Sequence, residues 1–291
     1  MRFQISEVRF QIDFRLAWRH QMMSSKYTVT VAGALIAASW VGILSAQDAM
    51  RFADTPAQSL FLRSRAVVVA SGSVRQLRSV ILRGHITAVG DGEPVDGAVE
   101  IRCLLPDHFL RVETIGDVQR WSGYAGRSLL TSIRQGGKVE TPPGNLTSTL
   151  LAVAHAHFTR LMLGALTYIP ADQELTFRSG GATAAPVDPR IQASTGTAVS
   201  NDMPERFVLD VMSDTFSARF EVDPISGAPV MLTYPGANRA PTTMRFADRR
   251  AVGGFLMPYR ITISAGDRVL ETLTFDEILI NPEIAKSDFK R

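Results

Sequence analysis

The chain has 291 residues, 45% of them hydrophobic, with 31 Lys and Arg against 28 Asp and Glu and a single cysteine. The basic excess sits at the front: residues 1–46 hold Arg2, Arg9, Arg15, Arg19 and Lys26 but only Glu7 and Asp13, so a chain starting at Gln47 carries 26 of each sign. That balance excludes the charge footprint of a nucleic-acid binder despite a sequence pI of about 9.2, and one cysteine excludes an intrachain disulfide.

Lys26 precedes an uncharged run from Val29 to Leu44, followed by Ser45-Ala46 and the polar Gln47-Asp48. A positive flank, a short apolar stretch and a small residue before a polar start describe a secretory signal peptide, with cleavage expected after Ala46. The run falls short of the ~20 residues a membrane span needs. Met22 and Met23 offer an alternative start that would leave residues 1–21 outside the protein. No cysteine follows the apolar run, so no acyl anchor is expected there, and residues 47–291 read as one domain.

Thr55-Pro56 has the form of a helix start, with a helix expected over 56–70 and closed by Ser71-Gly72-Ser73. From Ser79 to Arg134 the sequence reads as strands joined by turns at Gly90-Asp91-Gly92, Pro106-Asp107, Gly116-Asp117 and Gly123 to Gly126. Cys103 falls in register with the apolar face of one such strand, as a buried structural thiol. Gly136-Gly137 and Pro142-Pro143-Gly144 interrupt the strand pattern. Leu146 to Leu166 then reads as a helix, apolar on most sides, which requires cover or an apolar opening to lie across. Residues 179–204, rich in Gly, Ala, Ser, Thr and Pro, read as a long loop.

A second strand series runs from Arg206 to Ile280. Phe216 to Asp223, Thr242 to Phe246 and Met257 to Ser264 alternate apolar and polar residues with the period of a strand, one face greasy and one wet. The fold class is therefore α+β, mainly β: an antiparallel sheet with one solvated side and covering helices.

No catalytic or metal-binding constellation emerges. His155 and His157 stand about 200° apart on a helix and cannot share a metal, so one exposed and one packed histidine is expected. His85 and His108 sit alone in strands without an expected partner. No Gly-x-Ser-x-Gly, HExxH or phosphate-cradling loop occurs, and Asn145-Leu146-Thr147 matches a glycosylation sequon at the level of chance. A non-enzyme without cofactor or metal is expected.

The run Glu221-Val222-Asp223-Pro224-Ile225-Ser226-Gly227-Ala228-Pro229, then Phe246-Ala247-Asp248-Arg249, Gly254-Phe255-Leu256-Met257-Pro258-Tyr259 and Phe275 to Pro282, resembles the outer-membrane lipoprotein carrier superfamily (LolA/LolB-like). Its members carry a VDP-x-TG-x-P turn, a strand ending in Leu-Pro and a final strand leading to Asn-Pro and a closing phenylalanine, matched here by Phe289. The resemblance covers roughly residues 56–290. It implies a strongly curved, incomplete β-barrel whose concave apolar surface lies under helices and accepts acyl chains, and an arginine that latches the lid; Arg83 and Arg102 are two positions for it.

About eleven strands with one apolar side would expose more than the ~400 Å² of contiguous apolar surface tolerated by a soluble monomer, so the helices must cover it. The expected cavity lining is Phe220, Val222, Met231, Met244, Phe246, Met257, Tyr259, Ile261, Leu273 and Phe275, and the lid face Leu150, Val153, Phe158, Leu161 and Met162. The expected function is an exported, periplasmic binding protein for a lipid acyl chain or lipoprotein, touching the membrane at most transiently and binding no nucleic acid. The alternative is an envelope regulator or adaptor that binds another cell-envelope protein, for which 179–204 would be the capture segment.

Overall fold

The computed structural model describes residues 50–70, 73–89, 93–170, 173–180, 207–236 and 240–290. The signal-like segment 1–46, the alternative starts, the turn Gly90-Asp91-Gly92 and most of the 179–204 loop lie outside them.

After strand β1 (Met50–Phe52), helix α1 (Thr55–Val68) starts one residue earlier than the proline suggests. Asp54, in extended backbone, accepts the Ala57 amide at 2.7 Å and so satisfies one of the first-turn donors. The same carboxylate accepts from the Ser179 amide at 3.0 Å and hydroxyl at 2.8 Å. Those bonds hold its pKa below the usual range, and the helix start is thereby tied to the sheet. Ala57, Phe61, Ser64 and Val68, spaced at helical intervals, are the buried face.

The strands that follow are β2 (Ser79–Ala88), β3 (Val95–Leu104), β4 (His108–Ile115), β5 (Val118–Ala125), β6 (Ser128–Leu129), β7 (Ser132–Gln135) and β8 (Lys138–Glu140). Gly136-Gly137 does not end the sheet as the sequence suggests. Both glycines take positive φ and form the β7–β8 turn, extending the sheet past Arg134. Helix α2 (Thr147–Leu166) and strands β9 (Leu175–Gly180), β10 (Phe207–Met212), β11 (Ser217–Val222), β12 (Pro229–Pro235), β13 (Pro241–Val252), β14 (Phe255–Ala265) and β15 (Arg268–Ile280) complete the described chain.

All 15 strands form one curved sheet that does not close into a barrel. Its order is β1-β9-β10-β11-β12-β13-β14-β15-β2-β3-β4-β5-β7-β8, with β6 on β5. Neighbours are antiparallel except β1, which joins β9 in parallel. The join between the two strand series is β15 on β2, from Glu271 opposite Ala88 to Ile280 opposite Val80. The outer face carries exposed charge pairs such as Arg83 with Glu100 and Glu277. Over β4 and β5 it is instead covered by Phe289, which packs with Leu110 and Leu130. Phe289 thus closes the outside of the sheet.

The inner face holds the main core, which includes residues of both helices and nearly every strand. The segment Gly144–Leu166 is long and apolar enough to cross a membrane, yet residues 161–166 are all buried within the protein. Helix α2 lies so close to the sheet that a methyl group at Gly164 would overlap the Phe246 ring. Glycine costs roughly 1 kcal/mol inside a helix, and close approach is the return. We expect Gly164→Ala to lower the unfolding free energy by about 1–3 kcal/mol through overpacking. Urea denaturation checks this, and an unchanged midpoint would contradict the tight seat of α2.

Candidate ligand-binding site on the concave face

Phe220, Val222, Met244, Phe246, Met257, Tyr259, Ile261, Leu273 and Phe275 all lie buried on the inner face, in one cluster with Phe158, Leu161 and Met162 of α2. Met231 does not join them. It stands opposite Glu221 and Arg245 on the outer face, with an Arg245 nitrogen 3.9 Å from its sulfur. Leu232 takes the inward place opposite Phe220 and Met244. The run Val230-Met231-Leu232 is apolar at three successive positions, so its period-2 phase cannot be read without the pairing. Leu150 is half-buried, and Val153 points outward at 54% exposure, so the first turns of α2 are not pressed onto the sheet as its last turns are.

The C-terminal end of α2 is buried, where its last carbonyls have no intrahelical donors. The described structure supplies a donor to each. Thr167, in left-handed backbone, donates its amide to Leu163 O at 2.9 Å, and Tyr168 donates to Met162 O at 3.1 Å. The Arg249 guanidinium donates to Gly164 O (2.8 Å) and Ala165 O (3.1 Å), and also to Pro229 O and Leu256 O at 2.9 and 2.8 Å. Thr167 Oγ1 donates to Leu166 O, and Arg65 of α1 donates to Thr167 O at 2.9 Å. Both arginines serve the negative end of the helix dipole. Burial alone pulls each guanidinium down to about 10. Arg249 follows Asp248, which takes φ 52° within β13, and its guanidinium reaches the end of α2. Arg83 and Arg102, the positions considered for a latch, sit on the outer face, where both bond Glu100.

A polar group occupies another part of the concave face. Arg111 donates to both oxygens of Glu271, at 3.0 and 2.8 Å, and pairs with Glu113 at 2.7 Å. All three side chains are at most 12% exposed. Burial opposes the guanidinium charge, but the two carboxylates outweigh it and raise its pKa. His157 of α2 packs against Phe109, and burial, with Arg111 nearby, pulls its pKa down to about 3. His155 is not the exposed histidine expected: its ring stacks on Tyr124 at 3.8 Å.

Cys103 is buried, as expected. His85 pairs with Asp276 at 3.1 Å on the exposed outer face, and His108 pairs with the adjacent Asp107 at 2.7 Å against the Phe289 ring. His108 therefore does have a neighbouring carboxylate, in a structural contact of the covered outer face.

No family model and no curated protein matches the sequence. Solved structures do. A DUF1329 family protein from Desulfovibrio piger is 8% identical with a TM-score of 0.50, over 81% of this chain and 98% of that one. A LolA superfamily protein from Nitrosomonas europaea is 10% identical with a TM-score of 0.46, over 81% and 97%. A putative outer membrane lipoprotein-sorting protein domain from Vibrio parahaemolyticus is 8% identical with a TM-score of 0.44, over 80% and 94%. At these identities the likeness is one of architecture alone, a curved, open sheet with helices shared with the Desulfovibrio piger protein.

Arg249→Met strands two helix carbonyls without donors, so a loss of about 2–4 kcal/mol in unfolding free energy is expected. Arg83→Met, on the exposed outer face, should change it by less than about 1 kcal/mol. Equal effects in denaturant melts would refute the latch. His157 titrates near 3 folded and about 6.5 unfolded. The unfolded state then binds the extra proton between those values. Stability is full above about pH 6.5 and falls as the pH drops, on the order of 1 kcal/mol per unit. His157→Phe should flatten that slope between about pH 6.5 and 5, before carboxylates titrate, as melts across the range would show.

Proposed function

We propose that this chain is an exported, soluble binding protein whose ligand is an apolar chain, the acyl tail of a lipid or of a lipidated protein. The ligand lies on the concave face under α2, against Phe220, Met244, Phe246, Met257 and Phe275. The observation that carries this reading is the unequal attachment of α2. Its C-terminal end is fixed by Arg249 and Arg65, whereas its start has no side-chain cap and, between the buried Leu146 and Ala154, Leu150, Leu151, Ala152 and Val153 are half-buried or exposed.

A helix held at one end and resting on non-directional contacts at the other acts as a hinged cover. Raising its first turns uncovers side chains such as Leu150 and Leu151, at a cost of about 1.5–3 kcal/mol for each one fully buried. An acyl chain contributes about 0.8 kcal/mol per methylene transferred from water, so fewer than ten methylenes offset that cost. The sequence pattern at residues 26–46 supports export, and the periplasm is the proposed compartment.

Protein purified without detergent and sprayed under native conditions should carry additional lipid mass, and a fluorescent fatty acid should be displaced by unlabelled lipid. A clean apo spectrum together with no probe binding would sink the carrier reading. Arg249→Met should take up the probe faster than the parent, because the anchored end is then held only by Arg65 and the Thr167 and Tyr168 amides.

A further inference from the structure

Four arginines are buried wholly or in large part on the inner side of the sheet, and three have acceptors. Arg111 has Glu113 and Glu271, Arg249 has four carbonyls, and Arg65 has the Thr167 carbonyl. Arg160, on the flank of α2, differs. Its guanidinium lies 4.0 Å from the centre of the Tyr234 ring and 5.6 Å from that of Phe216. Its Nε is buried without an acceptor, as are those of Arg65 and Arg111, but unlike theirs its terminal nitrogens have no carboxylate or carbonyl partner among the described residues. Aromatic contacts stabilise the face of a guanidinium but leave its N–H donors, which lie in the plane, unsatisfied. A half-buried cation with one dry, unsatisfied donor and its terminal N–H groups turned to solvent is a place where an anion can add hydrogen bonds. Burial already pulls its pKa down.

Arg160 is also reachable. Val153, His157 and Arg160 are spaced four and three residues apart on one stripe of α2, which passes from 54% exposure at Val153 to half-burial at the other two. The stripe begins on the turns that the carrier reading allows to lift.

We propose that Arg160 is the anion-recognition residue of the concave site, and that the ligand is an amphiphile with a carboxylate or phosphate head. The head accepts from the guanidinium edge, and the tail lies on the inner apolar face. This rests on the carrier reading and deepens it.

The test compares cis-parinaric acid with its methyl ester at about pH 8, where the acid is ionised, using the full mature chain. The parent should bind the acid roughly tenfold more tightly than the ester, ~1.4 kcal/mol. Arg160→Met should bring the two affinities together by weakening the acid alone, and Arg160→Lys should keep part of the preference. Equal affinities in the parent overturn the proposal without any variant, so a misfolded Arg160→Met does not block the test. An acid preference that persists in a folded Arg160→Met also overturns it. Displacement of the acid by inorganic phosphate at the same concentration would assign the edge to a free anion and refute the amphiphile. Failure of the parent to bind either probe defeats the carrier reading itself, a different result from binding without preference.

Discussion

The arrangement depends on the bonds that close the buried end of α2. A helix terminus inside a protein leaves carbonyls that must find donors, and an unsatisfied one costs about 1–3 kcal/mol. Here the donors come from three places: the chain turning back at Thr167 and Tyr168, α1 through Arg65, and the sheet through Arg249. Because Arg249 also bonds Pro229 and Leu256, it joins the helix end to β12 and β14 with one planar group. A lysine could not span this set, since its donors radiate from a single nitrogen. Gly164 lets the helix approach closely enough for its carbonyls to be reached by Arg249.

That anchoring gives α2 a direction. Its last turns are immersed in aromatic and aliphatic side chains, while its middle packs on Tyr124 and Phe109 through His155 and Phe158 and its second turn meets water at Val153. The polar groups of the interior, Arg111, Glu113, Glu271, His157 and Arg160, lie along the same helix rather than in its apolar seat. His157 lies within electrostatic reach of both Arg111 and Arg160. The interior thus combines an apolar floor with a group of buried charges near His157.

Much of this was legible in the sequence. Clean alternation in Phe216 to Asp223 and Met257 to Ser264 put Phe220, Val222, Met257, Tyr259 and Ile261 on the inner face, and the length of the 146–166 pattern identified α2. Phase failed where both neighbours are apolar, as at Met231. It was hidden again in β4, where Leu110 and Val112 face outward beneath Phe289 and leave Phe109, Arg111 and Glu113 to point in. A strand covered on both sides loses its period-2 signal. The Arg111–Glu271 pair joins residues 160 positions apart, and the Arg249–Gly164 bond spans 85. No local spacing encodes either. The one signal that touched Arg249 was the Phe246-Ala247-Asp248-Arg249 stretch, which carries the resemblance but does not say which way its arginine points.

The β15–β2 seam has a temporal consequence. It joins Ile280 to Val80, so the middle of the sheet is stitched by nearly the last strand of the chain to one of its first. Until residue 280 exists, β2 has an open hydrogen-bonding edge and the two strand series are separate, incompletely enclosed layers. Loop-closure entropy over so long an interval must be met before those contacts form, which makes this a topology that assembles late and slowly. A polypeptide emerging residue by residue therefore cannot complete its enclosed sheet until β15, the last described strand, is available to pair with β2.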